Sequence, residues 1–131
     1  MKALVLGSAA GGGYPQWNCK CPVCALFWQK DARVQRRTQS SIAVSQDGST
    51  WVLLNCSPDV REQIAANPAL QPKTGIRHSP ISAIVLTNGD IDHIGGLLSL
   101  REQQSFTIWA SAAVIAQIEA NPVFGVLDRK H

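Results

Sequence analysis

One apolar run, residues 81–87 (ISAIVLT), constrains this chain more than any other feature. It is short for a helix and rich in β-branched residues, so it reads as a buried strand. A polar segment follows it directly: Thr87-Asn88-Gly89-Asp90-Ile91-Asp92-His93-Ile94-Gly95-Gly96-Leu97. A buried strand opening into such a loop suits a layered α/β fold, because a rigid strand end can aim loop side chains at a common point.

The remaining apolar runs are spaced to match. Residues 2–6 (KALVL) predict a short first strand stopped by Gly7, followed by a glycine-rich turn over 7–13. This amino end imitates a signal peptide, but its apolar stretch falls short of the roughly 7–15 residues of an h-region. Residues 14–24 read as loop, with Pro15 and Pro22 poor for regular structure, and 25–35 as a short helix or excursion. Residues 40–45 (SSIAVS) and 50–55 (TWVLLN) are two strands, and the Asp47-Gly48 pair between them favours a hairpin turn. Ser57-Pro58-Asp59 predicts a helix start with serine as cap, running to about Ala66 because Pro68 disfavours helix at Asn67.

After a polar loop over 71–80 and the strand at 81–87, residues 87–96 read as loop and 97–104 as a short helix. Residues 106–110 read as a strand, and Ser111 caps a last helix ending near Asn121-Pro122. Two segments echo each other, Gln63-Ile64-Ala65-Ala66-Asn67-Pro68 and Gln117-Ile118-Glu119-Ala120-Asn121-Pro122. We read them as two helices ended by the same Asn-Pro stop rather than as a duplicated unit. The order is strand, hairpin, helix, strand, helix, strand, helix, which predicts an α/β fold with a mixed sheet. The segment 126–131 stands where a further unit would begin, so the chain is expected to be part of a longer protein.

Composition narrows the partners. The 131 residues amount to about one domain; 12 basic and 9 acidic side chains give +3, with 16% charged and 45% hydrophobic residues, as in globular chains. Lys20, Lys30, Arg33, Arg36 and Arg37 are scattered along one polar segment, which argues against a nucleic-acid partner. No apolar run approaches the roughly 18 residues that cross a bilayer, so membrane insertion is not expected. A cytoplasmic location is expected, because the amino end reads as a strand and three of the cysteines are too close together for a disulfide framework.

Those three form the first chemical motif, Cys19-Lys20-Cys21-Pro22-Val23-Cys24. A proline-turned loop can aim three sulfurs at one zinc ion, which takes thiolates at roughly 2.3 Å in a tetrahedron. The spacing points to a structural metal rather than to three free thiols. The fourth corner is open to Cys56, to His78 or to a residue outside this chain. Cys56, after the apolar run 51–54, is expected in the core, and His78 and His131 carry no assigned role.

The second motif lies in the loop after residue 87. Asp92 and His93 are adjacent and Asp90 is two residues earlier, a set of donors suited to zinc, iron or manganese. An aspartate cap on the following helix with a surface histidine explains the same residues equally well. The turn over 7–13 lacks both the G-x-G-x-x-G and the P-loop pattern; it reads as a tight loop making room for a neighbouring site.

Together and in this order, these motifs resemble the metallo-β-lactamase-fold superfamily, and within it the family serving biosynthesis of pyrroloquinoline quinone (PQQ). The carrying segments are GSAAGGGYPQWNCKCPVC, RTQSSIAVS, NCSPDVREQ, ANPALQP and LTNGDIDHIGGLLSLRE. The resemblance implies an αββα sandwich, a mixed sheet with flanking helices, of which residues 1–131 would form the amino-terminal half of a single domain. It implies a structural zinc on Cys19, Cys21 and Cys24, completed in the family by a histidine late in the chain. The superfamily's H-x-H-x-D-H metal motif maps onto the segment from Thr87: Asn88 and Asp90 stand where its first two histidines belong, while Asp92 and His93 match its final pair.

Loss of two imidazoles weakens the case for a two-metal hydrolase, which holds hydroxide between two cations. Asp92 and His93, joined by a histidine from a missing half, would make a two-histidine, one-carboxylate face suited to iron(II). Asp90 is either a further ligand or a hydrogen-bond acceptor beside one. The activity implied by resemblance is iron- and oxygen-dependent hydroxylation of the tyrosine ring in a crosslinked Glu–Tyr precursor of PQQ. Its partners would be that small peptide-derived precursor and other PQQ biosynthesis proteins. Two alternatives stand beside it: a soluble carrier moving PQQ or a precursor toward the periplasm, and a zinc or manganese hydrolase of the same fold. Half a sandwich would leave an apolar face uncovered, so the piece alone is expected to be poorly soluble or inactive.

Overall fold

The computed structural model describes residues 1–102 and 104–127. The segment 128–131, with His131 and most of the suggested start of a further unit, lies outside the described residues. Five strands build one sheet in the order β1 (Lys2–Gly7), β2 (Ser41–Ser45), β3 (Trp51–Leu54), β4 (Ile81–Val85) and β5 (Thr107–Trp109). The two pairings along β1–β2–β3 are antiparallel and the two along β3–β4–β5 are parallel, so the sheet is mixed, as the element order predicts. The helices are α1 (Pro22–Trp28), α2 (Val60–Ala66), α3 (Ile91–Ile94) and α4 (Ala112–Ala120), with 3-10 helices at Pro68–Leu70, Gly95–Leu100 and Pro122–Val126.

Alternation within each strand sorts the two faces of the sheet. Leu6, Ala43, Trp51, Leu53, Ile84 and Leu86 point into one core, where they meet Val60, Leu70, Ile94, Leu97, Val114 and Phe124 from the helical layer. Cys56 is in that core with no exposed surface, as expected of a packing cysteine. The other face is also apolar. Register aligns Val5, Ile42, Leu54, Val85 and Trp109 in one row across all five strands. Helices do not cover this row: Val5 is 69% exposed and Trp109 63%. The described residues thus form a helical layer on one side of a sheet whose second side is apolar and open.

Several local expectations change. Pro22 does not prolong a loop; it opens α1 at the first helical position, where a missing N–H costs nothing. The helix therefore starts three residues before the expected 25–35 span and ends inside it, with Gln29 as its C-cap. Ser57 does not cap α2, which starts at Val60 behind Asp59. The fully buried Ser57 hydroxyl instead donates to Gln63 Oε1 at 3.4 Å, while the Asp59 carboxylate accepts from the Gln39 backbone amide at 2.9 Å. The 87–96 loop contains a short helix, α3, and the helix expected at 97–104 is a 3-10 helix from Gly95 to Leu100.

Both Asn-Pro stops act as read. Asn67 and Asn121 are extended C-caps, and each is followed by a 3-10 helix beginning at the proline. The hairpin also forms, with Asp47 Oδ1 accepting from the Ser49 and Thr50 amides at 2.7 and 2.9 Å.

Strand direction decides where the motifs meet. Since β1, β3, β4 and β5 run the same way, their carboxyl ends share one edge of the sheet. That edge carries the glycine-rich turn after β1, Cys56 and Ser57 after β3, and the loop after β4.

Candidate metal centre

The glycine-rich turn and α1 bracket the cysteine loop, which has little core of its own. Aromatic side chains brace it. The Tyr14 hydroxyl donates to the Val23 carbonyl at 2.8 Å, and the Trp28 indole N–H donates to the Cys19 carbonyl at 2.9 Å. Phe27 packs edge-on against both rings, with centroids 6.2 Å from Tyr14 and 5.6 Å from Trp28. So held, the sulfurs of Cys19, Cys21 and Cys24 all lie within 4.8 Å of one another. Among the described residues this is the only convergent trio of histidine, cysteine or carboxylate donors. Neither Cys56, sealed in the core, nor His78, whose Nδ1 accepts from the Lys73 amide at 3.1 Å, joins it.

The electrostatics of the trio suit a cation. The Cys24 backbone amide and the Cys19 side chain stabilise a thiolate at Cys21, lowering it to about 7. At Cys24 the backbone contact from Gln16 favours the thiolate, but burial and the neighbouring Cys19 and Cys21 outweigh it and push the thiol up. Three adjacent thiolates repel unless a positive charge sits among them. Tetrahedral zinc, with thiolates at roughly 2.3 Å, places its sulfurs about 3.8 Å apart, a separation inside the limit within which the three sulfurs lie. The donor set fits zinc.

The second cluster sits at the carboxyl end of β4. Asn55, at φ 65°, turns its side chain across to β4, where Oδ1 accepts from the Thr87 amide at 2.9 Å and hydroxyl at 3.1 Å. The Asn88 side chain accepts from the Asp90 amide at 2.9 Å, and Gln117 of α4 donates to the Gly89 carbonyl at 2.9 Å. The Asp90 carbonyl begins α3 by accepting from His93 and Ile94. From the core side, the Cys56 amide donates to the His93 carbonyl at 2.8 Å. The loop is thereby tied to β3, α4 and the core before any side-chain chemistry begins.

Within it, Asp92 Oδ1 and His93 Nδ1 are 2.9 Å apart, and each side chain is 20% exposed. A neutral imidazole donating from Nδ1 leaves the Nε2 lone pair for a metal. A Cβ on Gly11 would lie 3.1 Å from Asp92 Oδ2, so the glycine-rich turn does make room for this carboxylate. Gln39 fastens that turn by donating from its side chain to the Gly11 carbonyl. Asp90 is exposed and makes no capping bond; its carboxylate does not form a tight trio with Asp92 and His93. The pair supplies one carboxylate and one imidazole, a set that fits zinc, iron or manganese as part of a larger ligand shell.

Sequence reasoning found both clusters but missed their supports. Gln39, Asn55 and Gln117 are polar residues with no local pattern that marks them; only the neighbouring glycines, Gly11 and Gly89, hinted at close approach.

The chain is similar to known proteins along its whole length. Residues 50–131 match the model of the beta-lactamase superfamily domain. Along all 131 residues the chain is 59% identical to coenzyme PQQ synthesis protein B of Methylobacterium sp. (strain 4-46), covering 44% of that protein. The crystal structure of zinc-bound PqqB from Methylobacterium extorquens superposes with a TM-score of 0.95 at 58% identity, over 98% of this chain and 43% of that one. A diphosphatase of the PhnP family superposes with a TM-score of 0.70 at 28% identity, over 90% of this chain and 44% of that one. The chain thus spans less than half the length of these relatives.

Proposed function

Because the chain belongs to the beta-lactamase superfamily, we propose that it forms the amino-terminal half of a metallo-β-lactamase-like domain that serves PQQ biosynthesis. The observation that carries this reading is the meeting of Gly11, Asp92 and His93 at one sheet edge, in a chain whose whole length matches PQQ synthesis proteins. The open apolar face of the sheet supports the half-domain reading, since a second layer would bury it.

In this reading Cys19, Cys21 and Cys24 hold a structural zinc that pins the loop between β1 and β2. A relative solved with zinc supports that metal. Asp92 and His93 hold a second metal together with ligands from beyond residue 131, and Asp90 stands by as an outer acceptor. Iron(II) at that position would supply the one-electron chemistry that activates dioxygen for hydroxylation of a tyrosine ring. The residues of this chain orient and tune. Asp92 fixes the His93 tautomer, the β4 loop is clamped by Asn55 and Gln117, and the glycine-rich turn lets the backbone lie against the carboxylate. Asn88 and Asp90, in place of imidazoles, favour one metal over a two-metal hydrolytic pair.

The test is anaerobic reconstitution of a polypeptide of the relatives' full length with iron(II), followed by oxygen, a tyrosine-containing Glu–Tyr precursor and excess ascorbate, which supplies the two electrons that carry the second oxygen atom to water. The expected result is a hydroxylated product that disappears in His93→Ala. Tight binding of PQQ without turnover supports a carrier instead, and two equivalents of metal beyond the cysteine-bound one support a hydrolase.

A further inference from the structure

A cavity of about 520 Å³ opens between α2, the 71–80 loop and the residues after the Gly95–Leu100 helix. None of its lining residues belongs to either metal cluster. Arg61, Arg77 and Arg101 reach it from three separate segments, beside His78, Ser99 and Glu102. Its volume is within the roughly 300–1,000 Å³ of small-molecule sites.

The charge on its walls is unbalanced. The ion pairs among the described residues are Arg33–Asp31, Arg36–Glu62 and His93–Asp92, so none of the three lining guanidiniums is paired. Arg101 donates only to the Leu98 carbonyl, at 3.4 Å. Glu102 is the one acid among the described lining residues. The donors also outnumber the acceptors. His78 accepts the Lys73 amide at Nδ1, so a neutral ring carries its proton on Nε2, and Ser99 adds a hydroxyl. Guanidinium forks match the paired oxygens of phosphate and carboxylate, and converging cations in a concave surface strengthen the field felt by an anion.

We propose that this cavity binds a small, multiply charged oxyanion, a phosphate or a polycarboxylate, gripped by Arg61, Arg77 and Arg101. The site is independent of which metal Asp92 and His93 hold.

Titration calorimetry of a polypeptide of the relatives' full length at low salt, with inorganic pyrophosphate in one arm and citrate in the other, tests the proposal. One equivalent of at least one anion is expected to bind saturably, and the preferred arm identifies the oxyanion class. Arg77→Gln and Arg101→Gln should each weaken binding by about tenfold or more, through lost charge-assisted bonds. Arg77→Lys, which keeps the charge but loses the fork, should fall between wild type and Arg77→Gln. Arg36→Gln, at an arginine already paired with Glu62, should change affinity by less than about twofold. No saturable binding in either arm, or equal affinity in wild type, Arg77→Gln and Arg101→Gln, overturns the assignment.

Discussion

Replacing Gly96 by alanine tests how tightly the β4 loop is locked to the core. The added Cβ would lie 2.0 Å from the Ser57 carbonyl oxygen and 2.8 Å from the Cys56 oxygen. A carbon and a carbonyl oxygen need about 3.2 Å, so one backbone must retreat by about 1.2 Å. No flexible side chain can absorb the movement, because both obstacles are main chain. The same residues carry the lock itself: the Gly96 amide donates to the Cys56 carbonyl at 2.9 Å, and the Cys56 amide to His93 at 2.8 Å. Overpacking of this kind costs about 1–3 kcal/mol, and a weakened buried hydrogen bond adds about 0.5–1.5 kcal/mol. A total near 2–4 kcal/mol is a large share of a stability of about 5–15 kcal/mol. With a urea m-value of about 2 kcal/mol/M, the midpoint should fall by about 1–2 M. The assay is urea unfolding followed by circular dichroism at low protein concentration. Gly125→Ala, where nothing lies within 4 Å of the new Cβ, is the control and should shift the midpoint by less than about 0.3 M. A Gly96→Ala midpoint as close to wild type as that control would refute the reasoning.

Other consequences are as direct. Alkylation at pH 7 read by mass spectrometry should modify Cys21 first, since it is exposed and lowered to about 7, and Cys56 last, since burial pushes it up to about 12; zinc should protect Cys19, Cys21 and Cys24. The Thr50, Ser49 and Ser45 bonds hold the Asp47 carboxyl below its usual range, so the hairpin's stabilisation is present above the unfolded value near 3.8 and is lost as pH falls through the lower folded value. Asp47→Ala should therefore lower the unfolding midpoint at pH 7, and the difference from wild type should vanish on acidification toward about pH 2. The uncovered sheet face should bind a hydrophobic dye and drive association of the 131-residue chain, and Trp109→Lys should reduce both without lowering the unfolding midpoint, because Trp109 is 63% exposed and lies outside the buried core.

Much of this protein was legible in its sequence because it depends on short-range dihedral and spacing rules. The strand runs, the Asp-Gly hairpin, the two Asn-Pro stops and the C-x-C-x-x-C trio are each set by a few neighbouring residues. Those same rules misplaced α1 and the α2 cap. Pro22 serves as a breaker or as an opener according to whether Cys21 can cap it, and Ser57 is no cap because α2 starts three residues later, at Val60. What the tertiary structure alone decided is which distant residues meet. Gly11 lies against Asp92, Gln117 holds Gly89, and three arginines line one cavity, because the parallel strands bring their ends to one edge and the helices fold back over one face. No local pattern encodes such contacts; strand order and packing create them.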